Sequence, residues 1–223
     1  MNNSSNNYKL AELLGIILGD GNLHKSEYRI TIVGSLEDYS YYENRVLPLF
    51  SKIFNKSLKI KFRNDRNAIY IELNNKIAVK FLLKLGLKQG NKLGVGVPNL
   101  ILKNDCLIPH FLRGLFDTDG SLKFQKQSKL VNHYPRIQFC FKHSPLSIKL
   151  KDLIISLGFN FSSWIDKRGL HYYHISGSKN LDKWMQLVNM NNPVHKTKYL
   201  YWKQKGFCIP KSTLEQRKKA LNL

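Results

Sequence analysis

Acid is scarce in this chain: fifteen Asp and Glu stand against thirty-six Lys and Arg, a formal net charge of +21 over 223 residues. A monomer so charged repels itself, and the imbalance calls for a polyanionic partner, nucleic acid well ahead of an anionic membrane surface. Cysteine is scarce too. Cys106, Cys140 and Cys208 are odd in number and far apart, which excludes a disulfide framework and a zinc cluster and reads as free thiols in a reducing compartment. Long apolar runs are missing. The longest, Leu13 to Leu18, is far too short for a bilayer, and the polar start from Met1 to Asn7 has no signal-peptide core. The expectation is an intracellular, soluble protein with no membrane partner, organelle and prokaryotic cytoplasm both remaining open. Neither a Walker-type phosphate loop nor a Gly-x-Ser-x-Gly elbow occurs. His171 and His174, three apart in an expected strand, would point to opposite faces and make a poor metal pair.

The apolar share, 43%, is ordinary and sufficient for a core. Basic residues recur along the whole chain, often beside aromatics, as in KIKFR at 59–63.

The chain also repeats itself. LAELLGIILGDGNL (10–23) and PHFLRGLFDTDGSL (109–122) align without gaps, Asp119 on Asp20, an offset of 99 residues. Identical pairs are Leu13/Leu112, Gly15/Gly114, Asp20/Asp119, Gly21/Gly120 and Leu23/Leu122. Alternating runs at 28–32 and 135–141 predict a strand after each motif. Helices are expected over 39–54 and 146–157, strand pairs at 58–63 with 68–73 and at 161–166 with 171–176, and closing helices over 76–85 and 180–188. Each half thus reads αββαββα. Residues 88–102, Gly-rich and carrying Pro98, read as a linker, and 213–223 as a short basic helix or frayed tail. The division is 1–104 for the first half with its linker and 105–223 for the second.

Within a helix, Gly15 and Gly19 share one face, and Gly114 with Thr118 offers a matching one. A helical Gly costs about 1 kcal/mol against Ala, which close approach of a second backbone would offset. Such packing brings Asp20 and Asp119 together at the helix ends, each before a capping Gly. Carboxylates there face the negative end of the dipole and one another, a conflict that a divalent cation relieves. Mg²⁺ suits one or two carboxylates with water and phosphate oxygens.

The segments LLGIILGDG (13–21) and LRGLFDTDG (112–120) resemble the paired motifs of the LAGLIDADG homing endonucleases. The first departs at Leu18, where an acid is frequent, and at Gly19, where Ala is common. The resemblance covers nearly the whole chain, because element order and half length also fit. It implies an α+β fold of two pseudo-symmetric halves, a saddle of two antiparallel sheets with the motif helices at the central interface. It implies a monomeric, intron-encoded, site-specific double-stranded DNA endonuclease that leaves short 3′ overhangs. An RNA-binding intron maturase on the same fold is the alternative, and a regulator without cleavage a third reading that the two aspartates oppose. The start at Met1 and the end at Leu221-Asn-Leu223 read against intein ends.

The resemblance makes Asp20 and Asp119 the metal ligands, with Gly19 and Thr118 beside them, and Mg²⁺ the cofactor, Mn²⁺ or Ca²⁺ able to substitute for binding. By likeness to the family's basic stretches, Lys92 (in NKL, 91–93) and Lys198 (in NPVHKTKY, 192–199, with Lys196 as rival) are the candidate catalytic lysines. Lys142 is the candidate polar residue after the second strand of its half, with Gly34 as the apparent first-half counterpart.

A sheet laid along the major groove presents alternate residues to base edges. In the first half these are Asn22, His24, Arg29 and Thr31, with Lys61, Arg63 and Arg66 further along. In the second they are Lys123, Gln125, Lys126, Arg136, Gln138 and Lys142, joined by Lys167 and Arg168. The partner expected is duplex DNA with a long, partly symmetric target.

Overall fold

A computed structural model describes residues 3–63, 65–128 and 130–223. In chain order, α1 (Asn3–Gly19) leads into β1 (Gly21–Leu23) and β2 (Arg29–Ser35). Next come α2 (Tyr39–Tyr41), a π-helical turn at Tyr42–Val46, and α3 (Leu47–Phe54). The first half continues with β3 (Lys61–Arg63), β4 (Ala68–Asn74) and α4 (Lys76–Lys84). After α5 (Asn99–Leu102), the second half runs α6 (Ile108–Asp119), β5 (Gly120–Gln125), β6 (Tyr134–Lys142), α7 (Pro145–Ser156), β7 (Ser162–Ile165), β8 (Leu170–Ser176) and α8 (Ser178–Leu187). Two further helices follow, α9 (Pro193–Lys205) and α10 (Leu214–Leu221).

The fold is α+β, with two four-stranded antiparallel sheets in matching order, β1-β2-β4-β3 and β5-β6-β8-β7. One face of each sheet lies on the helices. Ile30, Ile32, Ile69 and Ile71 fill that face in the first sheet, and Ile137, Phe139, Tyr173 and Ile175 in the second, all buried. The alternate residues stand on the outer face, as the period of two requires.

The motif helices meet on their small residues. A β-carbon at Gly15 would run into the Phe111 carbonyl and stand 2.7 Å from the Leu115 amide nitrogen. One at Gly114 would run into the Glu12 carbonyl and lie 3.0 Å from the Ile16 nitrogen. Gly19 abuts the Thr118 side chain. Backbone therefore touches backbone, which is what the shared Gly faces anticipated.

Where the structure differs from the sequence reading, the signal was weak. The stretch expected as linker contains α5, and α9 was not anticipated. Its charged and apolar residues are spread around the helix, so no stripe marks it. Its start is nevertheless signalled, because the Asn192 side chain accepts from the Val194 amide at 2.9 Å and Pro193 stands at the first helical position. Of the two readings of the last stretch, the short basic helix is the one found, α10 over 214–221. The Thr213 side chain caps it, and the buried Arg217 donates to Thr197 Oγ1 at 3.0 Å and to the Val194 carbonyl at 3.1 Å.

One buried polar network ties the elements together. Glu12 of α1, with no exposed surface, accepts from Arg45 Nε at 2.7 Å, Arg113 Nη2 at 2.6 Å and Asn191 Nδ2 at 2.8 Å. Burial alone would raise its pKa. The Arg45 and Arg113 guanidiniums outweigh it and hold the carboxyl below its usual range.

Candidate metal centre and nucleic-acid face

Asp20 and Asp119 end the two meshed helices and lie within each other's field. Burial first, then repulsion from Asp119 and Asp38, pushes Asp20 up to about 7, with Lys92 opposing. Burial also raises Asp119 against Lys92. Although protein crowds it, the Asp119 residue remains exposed to solvent whereas Asp20 is half-buried, so Asp119 is the easier of the two to keep ionised.

Lys92 is held at this point. Asn91 caps its short turn, accepting from the Leu93 amide at 2.9 Å. The Lys92 ammonium donates to the Leu18 carbonyl at 2.9 Å and to the Gly19 carbonyl. It thereby satisfies the last carbonyls of α1 and places a positive charge at the negative helix end. Lys92, Lys142 and Asp119 line one recess of about 300 Å³, with Leu18 on its wall.

The second half answers differently. Leu18 corresponds to Asp117, and the Asp117 carbonyl accepts from Asn192 Nδ2 at 2.9 Å. Asn192 thus occupies the role that Lys92 has in the first half, and it also donates to Asp38 Oδ1 at 2.8 Å. Lys198 takes neither place: the charges that act on Asp20 and Asp119 include Lys92 but not Lys198. It lies on α9 among Arg217, Cys208, Glu37 and Lys123, and its rival Lys196 is exposed. Asn192 was within the stretch quoted from the sequence. What hid its role is that an amide replaces the amine expected there.

Strand register corrects a second pairing. Gly21 lies across from Ile32 and Gly120 across from Phe139, so Ile32 superposes on Phe139 and Lys142 on Ser35, not Gly34. A slip of one residue moves a side chain to the other face. Gly34 faces the helices, where a β-carbon would come within 2.7 Å of the Tyr42 ring. Ser35 Oγ donates to Asp38 Oδ2 at 2.7 Å. The surroundings of the two carboxylates are therefore unequal, with lysines beside Asp119 and an acid near Asp20.

The groups expected beside the metal, the Thr118 hydroxyl and the Gly19 carbonyl, are otherwise engaged. Thr118 Oγ1 turns back onto its own helix, donating to the Gly114 carbonyl at 2.9 Å, and the Gly19 carbonyl accepts from Lys92. Among the described residues no three His, Cys, Asp or Glu side chains gather at one point. The donor set is two carboxylates plus main-chain oxygen. That oxygen-only set fits a hard cation which draws its other ligands from water and phosphate.

The outer faces carry most of the residues expected to meet DNA. On the first sheet Asn22, His24, Arg29, Thr31 and Arg63 line a recess of about 470 Å³. His24 Nε2 meets Thr31 Oγ1 at 2.9 Å, and Arg29 Nη2 meets His24 Nδ1 at 3.2 Å. Lys61 and Arg63 lie over the Tyr70 ring at 5.7 and 5.8 Å. Arg66 is in the β3–β4 turn, paired with Asp65 at 3.0 Å. On the second sheet Lys123, Gln125, Arg136, Gln138 and Lys142 share the outer face, as their pairings show. Lys126 follows β5, and Lys167 and Arg168 occupy the β7–β8 turn, where Arg168 pairs with Asp166 at 2.8 Å.

Sequence reading missed the outer-face residues of β4, β7 and β8. Glu72 holds Arg29 and Lys61, each at 3.6 Å. Trp164 stacks on Tyr172 at 5.1 Å, and His174 meets Gln138 at 3.0 Å. Counting alternate positions along those strands would have found all of them. His171 is on the other face, 2.9 Å from His143, in line with the exclusion of a His171–His174 metal pair.

The comparison with solved structures places this architecture. The homing endonuclease I-DmoI in complex with DNA and Mn superposes with a TM-score of 0.58 at 18% identity, covering 82% of this chain and 97% of that one. The chain has the LAGLIDADG fold. Full-length DUF199/WhiA from Thermatoga maritima shares that fold, with a TM-score of 0.57 at 18% identity over 100% of this chain and 62% of that one. The N-terminal LAGLIDADG domain of DUF199/WhiA gives 0.56 at 16%, covering 84% and 86%. No protein-family model matches the chain. By sequence it is 30% identical over 212 residues to a replication factor C small subunit of Methanocaldococcus jannaschii. The match takes in 86% of this chain but spans only 11% of that relative. Among the described residues no helix is long and apolar enough to cross a membrane.

Proposed function

We propose that the chain is a divalent-metal-dependent endonuclease that cuts duplex DNA at a long, partly symmetric site and leaves short 3′ overhangs. The observation that carries this reading is the meeting of Asp20 and Asp119 at the ends of two helices in backbone contact, between two sheets whose outer faces are basic. Burial raises the proton affinity of both carboxylates and Asp119 adds to that of Asp20, so the pair is poised for a cation and costs stability without one. A divalent cation in such a site supplies an acidified water for attack and charge compensation at the leaving oxygen. Mg²⁺ fits the oxygen-only donor set, and Asp20 and Asp119 are the residues that would hold it.

The chain's own groups divide the remaining work. Lys92, tethered to the end of α1, keeps a positive charge within reach of both carboxylates. Lys142, across the same recess, is placed to hold a phosphate oxygen on the Asp119 side. Ser35 and Asp38 stand in the corresponding region of the first half, so the two strands meet different surroundings and the Asp119 side is expected to cut faster. The outer-face Arg, Lys, Gln and Asn suit bidentate contacts to purines.

The test is selection of duplexes from a randomised library in Ca²⁺, followed by addition of Mg²⁺. Double-strand cutting by the wild type, reduced to nicking or lost in Asp20→Asn and Asp119→Asn, is the expected result. Tight duplex binding with no cut in Mg²⁺ or Mn²⁺ would sink the nuclease reading. Preference for structured RNA over duplex DNA would move the chain to the maturase alternative.

A further inference from the structure

Lys198, displaced from the carboxylates, is in an unusual position of its own. It lines a recess of about 250 Å³ together with Lys123, Lys211 and Asn132. Burial, then the nearby Arg217, keeps its ammonium below the usual lysine range, and Lys123 acts in the same direction. Among the described residues its ammonium makes no hydrogen bond or ion pair. The carboxylate whose charge acts on it, Glu37, is already engaged, accepting from the Leu214 amide and lying 3.9 Å from Arg217. A half-buried cation among like charges, without an acid of its own, is costly unless an anion arrives from outside.

The walls of the recess are fixed. The Cys208 amide donates to the Asn132 carbonyl at 2.9 Å, joining the loop after α9 to the loop after β5. Arg217 donates to the Ser212 carbonyl and, at 3.2 Å, to Ser212 Oγ. Between these anchors Lys211 is held in the left-handed region at φ 55°, a conformation that a non-glycine residue adopts at some cost. Lys123 reaches the recess from the outer face of β5, where it pairs with Arg136.

We propose that Lys198, Lys123 and Lys211 form a binding pocket for one phosphate group of a bound duplex, at the edge of the second sheet. The inference rests on the nucleic-acid part of the function proposed above. The chemistry requires only a tetrahedral oxyanion, so free phosphate is the other source to separate. A sheet whose outer face reads a groove brings its edge strand to the groove's rim, where the phosphates lie, and β5 is an edge strand. Lys198 on this reading is a backbone-binding group rather than a partner of the metal-bound water.

Duplex affinity measured in Ca²⁺ at several salt concentrations tests this, using wild type, Lys198→Met and Lys123→Met, with Lys151→Met on the exposed face of α7 as control. Met keeps the buried stem of Lys198, and Lys123 is exposed, so at least the second variant leaves the fold intact. Each pocket variant should bind roughly five- to tenfold more weakly near 0.1 M salt. Because the three lysines share one phosphate, each variant should also lower the slope of log affinity against log salt by part of the roughly 0.9 that one phosphate contributes. Slopes equal to wild type in both variants would overturn the proposal, as would a Lys198→Met protein that binds normally and only fails to cut. In parallel, melting is compared in inorganic phosphate and in chloride at matched ionic strength. If wild type binds no duplex but phosphate raises its Tm in a Lys198-dependent way, the pocket stands with free phosphate as its ligand and the nucleic-acid reading falls. A wild type that neither binds duplex nor is stabilised by phosphate would overturn the pocket itself.

Discussion

Gly114→Ala puts the central contact under the most direct strain. The added methyl would enter the Glu12 carbonyl and stand 3.0 Å from the Ile16 nitrogen, and neither is a side chain that can rotate away. The helices must part by about 1 Å, a gap that forfeits a quarter to a half of the attraction at each contact along the interface. Overpacking of this kind costs about 1–3 kcal/mol. The gain of about 1 kcal/mol in helix propensity on replacing Gly opposes it. Lost packing along the rest of the interface adds to the cost, so a net loss of about 3 kcal/mol is expected. For a chain of this size that is a fall of roughly 6–12 °C in Tm. Urea unfolding and thermal melting both read it. Gly15→Ala, whose methyl would meet the Phe111 carbonyl and the Leu115 nitrogen, should behave alike. The double variant should cost less than the two single losses together, because helices already parted admit the second methyl more easily. A Gly114→Ala protein as stable as wild type, or about 1 kcal/mol more stable, would refute backbone contact between α1 and α6.

Glu12→Gln leaves the largely buried Arg113 guanidinium, and a partly exposed Arg45, facing a neutral amide, and a loss of about 3 kcal/mol, the low end for breaking a buried pair, is expected in urea unfolding; a change below 1 kcal/mol would mean that the network carries no net stability. His195 is buried, and burial, then Lys198 and Arg217, holds it down to about 3. The unfolded chain takes up that proton near the ordinary histidine value of 6.5. Stability is therefore lost as pH falls from about 6.5 toward 3, by at most about 1.4 kcal/mol per pH unit. His195→Leu should flatten this acid limb relative to wild type, and identical slopes in urea unfolding between pH 6 and 4 would refute the assignment.

Much of the fold was legible because it is written twice. The repeated motif located both central helices, and alternation located the strands that follow. Geometry that depends on register was not legible. Nothing in the letters separates Gly34 from Ser35 as the partner of Lys142, although one faces the Tyr42 ring and the other Asp38. The pairing of Lys92 with a second-half lysine failed for a related reason, since both Lys92 and Asn192 satisfy carbonyls at a helix end by different chemistry. Helix α9 escaped because its apolar residues make no stripe. The acid at Asp117, absent from the first motif, became intelligible only when its side chain was seen to accept from the Asn191 amide at 2.8 Å.

The meshed glycines act as a ruler. Main chain sets the spacing between Asp20 and Asp119, so it does not drift when residues on the outer faces of the sheets change. In the proposed endonuclease this decouples recognition from chemistry mechanically. The outer faces can accumulate substitutions and acquire new target preferences one strand at a time, while the spacing at the centre is inherited unchanged. A lineage carrying this helix pair can explore sequence space at its periphery without reinventing its core step, which rests on the glycines and the two aspartates they bring together.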